Sequence, residues 1–146
     1  MPNPPLFLSP LAGQRLSLVV LTAVALLLPI AGCTADEADV GVTPISPDAW
    51  LSSPPPNALL LDVRTPDEFA KGHVPGAINI PYDEIPNRLG ELQGGKDRAV
   101  VVYCESGKRA GKAESTLAAQ GYTNLHHLEG DMKGWRAAGR ETSVPN

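Results

Sequence analysis

Apolar positions along the chain gather into short unbroken runs, and these alternate with segments of helical spacing. Ala58-Leu59-Leu60-Leu61-Asp62-Val63 and Ala99-Val100-Val101-Val102-Tyr103 are continuous runs of strand length, the pattern of strands covered on both faces. Shorter strands are predicted at 41–45, at 77–80 before Pro81, and at 125–128. Between them, Ser46-Pro47-Asp48 opens a short helix through Trp50 and Leu51, with proline early, where its missing N–H does no harm. Thr65-Pro66-Asp67-Glu68 has the form of a capping box and opens a helix through Phe69 and Lys71, ended by Gly72. A helix is predicted over 85–92, ended by Gly94-Gly95. Another runs over 109–120, where Ala110, Ala113, Leu117 and Ala118 form an apolar stripe and Gly121 follows as the stop. A last helix passes through Trp135 and ends at Gly139. Alternating strand and helix units imply an α/β fold: a small, mostly parallel central sheet with helices on both faces.

The first 32 residues stand outside this pattern. Residues 16–30 are a nearly uninterrupted apolar run preceded by a single basic residue, Arg15. That run is shorter than the about 20 residues of a membrane span but suits the core of a signal peptide. It ends in Ile30-Ala31-Gly32-Cys33, which resembles the lipobox of bacterial lipoproteins. The resemblance implies cleavage after Gly32 and lipid on the sulfur of Cys33, with the new amino terminus usually acylated. Two or more acyl chains anchor a protein stably. The alternatives are an ordinary secretory signal with an incidental cysteine, or a retained membrane anchor. The expected organisation is therefore a lipoprotein signal peptide at 1–32, a lipidated acidic tether at 33–43 and one domain at 44–146. The expected location is outside a bacterial membrane, on its periplasmic or cell-surface side.

Processing changes both charge and cysteine chemistry. The full chain carries 12 basic and 16 acidic residues. Loss of Arg15 leaves 11 − 16 = −5, a balance that argues against a nucleic-acid partner. The chain has 2 cysteines, and lipid on Cys33 leaves Cys104 without a thiol to pair with. A lone thiol in an oxidising compartment suggests use, although burial could also protect it.

Cys104-Glu105-Ser106-Gly107-Lys108-Arg109 joins the apolar run 99–103 to a helix. At such a turn unpaired backbone N–H groups and a helix N-terminus favour an anion, and Lys108 and Arg109 add charge. These conditions favour a thiolate. The competing reading is an inert buried cysteine. Open parallel sheets bind ligands beyond the carboxyl ends of their strands, and Cys104 stands at such an end.

Leu60-Leu61-Asp62-Val63-Arg64-Thr65-Pro66-Asp67-Glu68-Phe69, Gly72-His73-Val74-Pro75-Gly76-Ala77-Ile78-Asn79-Ile80-Pro81, the Cys104 loop and the segment 130–135 occur in the order of the rhodanese family. Over residues 44–142 the chain resembles that family in its single-domain form. The resemblance implies a sulfurtransferase in which Cys104 takes sulfane sulfur from a donor such as thiosulfate or a polysulfide. The resulting persulfide passes its sulfur to a thiol or cyanide, a two-step covalent scheme. Glu105, Ser106, Gly107, Lys108 and Arg109 would form the substrate-binding loop, their N–H groups facing the charged sulfur. Arg109 would close the loop or hold the anionic donor. Relatives often carry a neutral or basic residue at Glu105 and a second glycine at Asp131. A Glu105 facing the pocket mouth would repel a dianion; one facing solvent would matter little.

Only four residues separate Cys104 from Arg109, one fewer than in the Cys-x5-Arg cradle of cysteine phosphatases, so the loop suits sulfur better than phosphate. Asp62 and Arg64 are expected to support the neighbouring loops as scaffold, Glu68 to cap its helix, and His73 to serve the turn. His126 and His127 alternate in a strand, one facing in and one out, without metal-site spacing. No cofactor or metal is expected, and the protein is expected to be a monomer. The competing function is a non-catalytic rhodanese-like module that binds sulfur or senses oxidation without turnover.

Overall fold

A computed structural model describes residues 41–145. The expected signal peptide at 1–32 and the lipid site Cys33 lie outside the described residues, as does most of the tether. The strands are β1 (Thr43–Ile45), β2 (Leu59–Asp62), β3 (Ile78–Asn79), β4 (Val100–Tyr103) and β5 (Leu125–Leu128). They form one five-stranded sheet in the order β1-β5-β4-β2-β3, every pairing parallel. The helices are α1 (Pro47–Ser52), α2 (Pro66–Ala70), α3 (Ile85–Arg88), α4 (Lys108–Ala119) and α5 (Asp131–Ala137).

Alternate residues of the central strands point to opposite faces, and this divides the core in two. Leu59, Leu61, Val100 and Val102 face Ile85, Ala110, Ala113 and Leu117, from α3 and α4. Leu60, Val101 and Tyr103 face Met132 and Trp135 of α5, with Trp50 of α1 packed against them. Every residue of β2 and β4 is buried, which is why β4 and the three leucines of β2 read as apolar runs. Helices therefore cover both faces, as the alternation of elements predicts.

Local chemistry sets the element boundaries. Ser46 caps α1 through a 3.1 Å hydrogen bond from the Ala49 N–H. At α2 the full capping box forms: Thr65 Oγ1 accepts from the Glu68 N–H, and Glu68 accepts from the Thr65 N–H. The helix predicted over 85–92 is shorter. It stops at Arg88 and tightens into a 3₁₀ turn over Leu89–Glu91. Gly90 within that turn is a poor helix former, disfavoured by about 1 kcal/mol relative to alanine. Arg88 also bonds Glu84 and Glu91, across the change of pitch.

In chain order β2 is followed by its outer neighbour β3, whereas β4 leads outward the other way to β5. The connections thus diverge between β2 and β4, where Asp62 lies opposite Tyr103. Crevices form at the carboxyl ends of strands where such a reversal occurs, and the chain places Cys104 there. An open cavity of about 580 Å³, lined by residues such as Asn57, Arg98 and Asn124, lies at the other, amino-terminal end of the strands. Cys104 does not line it.

Candidate active site

Cys104 follows β4 directly and is the first residue of a loop that curls into α4. The curl depends on Gly107, which adopts φ of 89°, a left-handed conformation that side chains disfavour. There the Gly107 N–H points back and donates to Cys104 Sγ at 3.1 Å. Among residues 105–109 it is this amide that reaches the sulfur. Ser106 and Lys108 are exposed at the rim, while Cys104 itself is 1 % exposed on the floor.

The start of α5 fixes the loop from the other side. The N–H groups of Met132 and Lys133 donate to the carbonyls of Cys104 and Glu105 at 3.0 and 3.1 Å. The Cys104 N–H donates to Asp131 Oδ1 at 2.8 Å. Asp131 has φ of 53°, a conformation that aspartate tolerates better than most residues. The carboxylate stands on the loop's inner side: a Cβ added at Gly107 would lie 3.3 Å from Asp131 Oδ2.

Arg109 turns toward α2. Its Nη1 and Nη2 donate to Glu68 at 2.7 and 2.8 Å, a two-pronged pair that fixes geometry as well as charge. The hydrogen bond from Arg109 leads the groups that draw the Glu68 pKa down to about 2. Glu68 raises the Arg109 pKa in return, against burial, and the nearby Cys104 adds to the rise. One carboxylate thus caps α2 and holds the first turn of α4.

Asp62 and Arg64 form a buried pair beneath the neighbouring loops. Arg64 Nη2 donates to Asp62 Oδ2 and to the Gly72 carbonyl at 2.6 and 2.9 Å. Arg64 remains protonated: burial opposes its charge, but the Asp62 carboxylate outweighs it. Asn79 adds amide hydrogen bonds to the carbonyls of Asp62 and Arg64. Glu105 neither opens freely to the mouth nor faces only solvent. Its carboxylate bonds Arg136 and lies 3.7 Å from Arg64 Nη1, so its charge is shared with two guanidinium groups.

Three residues at this site escaped the sequence reading of its chemistry. Glu114 of α4, His127 of β5 and Asp131 form a chain: His127 Nδ1 lies 2.6 Å from Glu114 Oε1, and its Nε2 lies 3.3 Å from Asp131 Oδ2. Glu114 stands four residues after Ala110 on the buried stripe, and a charged residue at such a position is the signal that could have found it. His126 instead meets Asn124 Oδ1 at 2.9 Å. His73 stacks on Phe69 with centroids 3.6 Å apart and meets its carbonyl through Nδ1. Among the described residues no cluster of His, Cys, Asp or Glu has the makings of a metal site.

Comparison with known proteins bears on the family and the fold. The family description "Rhodanese-like domain" matches residues 48–138. A sulfurtransferase of Allochromatium vinosum is 40 % identical over 89 residues, covering 61 % of this chain and 81 % of that one. The thiosulfate sulfurtransferase PspE of Escherichia coli is 39 % identical over 70 residues, covering 48 % and 67 %. A tRNA uridine(34) hydroxylase of Erwinia tasmaniensis is 31 % identical over 114 residues, covering 75 % of this chain but 33 % of its own. Among solved structures, a rhodanese-like domain protein of Staphylococcus aureus aligns with a TM-score of 0.60 and 30 % identity, covering 72 % of this chain and 100 % of that one. Sequence order, sheet topology and cysteine loop converge, and the chain belongs to the rhodanese family.

Proposed function

We propose that the protein is a sulfurtransferase that moves sulfane sulfur from thiosulfate or a polysulfide to cyanide or a thiol through a persulfide on Cys104. The observation that carries the reading is the Gly107 N–H aimed at Cys104 Sγ from a curled loop. A fixed donor at that place stabilises negative charge on sulfur without reorganising during reaction. In the first step the Cys104 thiolate attacks the outer sulfur of thiosulfate; the S–S bond of the donor breaks and sulfite leaves with the electron pair. In the second step cyanide attacks the terminal sulfur of the persulfide, thiocyanate departs, and the thiolate returns. The sulfurtransferases among its relatives support this chemistry.

Arg109 is already engaged by Glu68, so its first role here is to brace the loop. Lys108, exposed on the rim, is a cation that an arriving anion can reach. The sequence also supports export and lipid anchoring through Cys33, which would place this chemistry on the outer side of a bacterial membrane.

Incubation of the purified protein with thiosulfate or polysulfide, followed by intact mass measurement, tests the reading. A gain of one sulfur on Cys104, discharged by cyanide or thiol over repeated cycles, is expected. The near-complete burial of Cys104 favours a second reading, a module that accepts sulfur or oxidises without turnover. A sulfur adduct that no acceptor discharges would establish that reading instead.

A further inference from the structure

The Glu114–His127–Asp131 chain touches the nucleophile's own backbone, yet nothing in the persulfide chemistry assigns it a part. Asp131 sits at a demanding place. Its Oδ1 accepts the Cys104 N–H at 2.8 Å, and its Oδ2 approaches the inner side of the loop at Gly107. Its side chain is 6 % exposed and that of Glu114 9 %, so neither carboxylate is well screened by water. A buried anion beside a sulfur that must become anionic would oppose the reaction. The cation that answers it is His127, whose two ring nitrogens reach the two carboxylates from β5.

We propose that His127 and Asp131 are positioning residues for the sulfur transfer: Asp131 holds the Cys104 backbone, and the His127 imidazolium, kept in place by Glu114, cancels the Asp131 charge so that Cys104 can carry a thiolate or persulfide. The proposal rests on the sulfurtransferase reading and adds to it the residues that balance charge behind the loop. The groups facing His127 are Glu114 from α4 and Asp131 from the start of α5, with the Gly107 backbone above it. Asp131, then Glu114, raise the His127 pKa to about 10 against burial, so the ring is cationic at neutral pH. Burial pushes the Asp131 pKa up, but hydrogen bonds from His127 and the Cys104 N–H outweigh it and hold the carboxylate ionised.

The test is the rate of Cys104 alkylation by iodoacetamide as a function of pH, which reads the thiolate without any sulfur donor. His127→Gln removes the cation and leaves Asp131 charged. Alkylation at pH 7 is expected to slow about tenfold, with the profile displaced by about one unit to higher pH, because one unit is a tenfold change in thiolate fraction. Asp131→Asn keeps an oxygen for the Cys104 N–H and removes the charge; by itself it is expected to leave alkylation as fast as, or faster than, the native protein. The double variant His127→Gln/Asp131→Asn is expected to recover to within about twofold of the native rate. A purely structural chain predicts the reverse, with losses that accumulate.

An unchanged rate in His127→Gln, or a double variant as slow as that single one, would overturn the proposal. If His127→Gln fails to fold, Asp131→Asn alone decides, and slower alkylation in it overturns the idea. Native Cys104 that resists alkylation altogether would sink both this proposal and the sulfurtransferase reading. Failure of sulfur loading with the alkylation pattern intact would sink only the latter.

Discussion

Gly107 shows how a single backbone dihedral governs this site. At φ of 89° it turns the loop so that its own N–H faces the Cys104 sulfur, and it leaves room for Asp131 on the inner side. Alanine there meets two costs. The left-handed conformation is disfavoured for L residues by about 1–2 kcal/mol, and the added Cβ would stand 3.3 Å from Asp131 Oδ2. Gly107→Ala is expected to lower the melting temperature by roughly 4–8 °C for each kcal/mol lost. Because the sulfur and its donor are displaced together, sulfur transfer should fall by on the order of 10²-fold, the scale of a 1 Å misplacement. Differential scanning calorimetry and thiocyanate formation measure the two effects. An active, equally stable alanine variant would show that the curl is not what steadies the sulfur.

Among the elements, α2 and α4 are joined by one carboxylate with two duties. Glu68 completes the capping box of α2 and pairs with Arg109 in the first turn of α4. Glu68→Gln separates the duties, since glutamine still serves a capping box but carries no charge for Arg109. The native Glu68 pKa, at about 2, lies below its ordinary 4.5. A depressed carboxylate contributes stability that is fully present above the unfolded value and is lost as pH falls through the folded one. The native protein should therefore melt above Glu68→Gln at pH 7, and the gap should close between pH 4.5 and pH 2. A gap independent of pH over that range would mean that the ion pair is not its source.

The same elements show what could be read without coordinates. The capping box, the buried runs of β2 and β4 and the glycine stop of α4 were legible because each depends on residues adjacent in sequence. The early end of α3 at Arg88 was not, because Gly90 and the paired charges of Glu84, Arg88 and Glu91 compete with an apolar spacing that still looks helical. At the site, the cysteine, glycine and arginine of the loop lie in one short motif. Glu114, His127 and Asp131 come from three elements and meet only after the sheet forms, which kept their partnership out of view. The double role of Glu68 was hidden likewise, since its partner Arg109 lies 41 positions away.

For the molecule as a whole, a parallel sheet buried on both faces supplies a platform whose carboxyl edge carries the Cys104 loop. The two clusters that flank β2 and β4 hold the strands on which the Cys104 loop and the Asp62–Arg64 pair are mounted. No helix among the described residues is long and apolar enough to cross a membrane. The proposed attachment rests instead on Cys33, leaving the domain as the working part. In the proposed reaction Cys104 accepts one sulfur and releases the remainder of the donor before any acceptor binds. Rapid mixing of the protein with excess thiosulfate, without cyanide or thiol, measures this directly through the sulfite released. A burst of one sulfite per chain is expected, and its absence in Cys104→Ser. No burst, or the same burst from the serine variant, would contradict the proposed reaction.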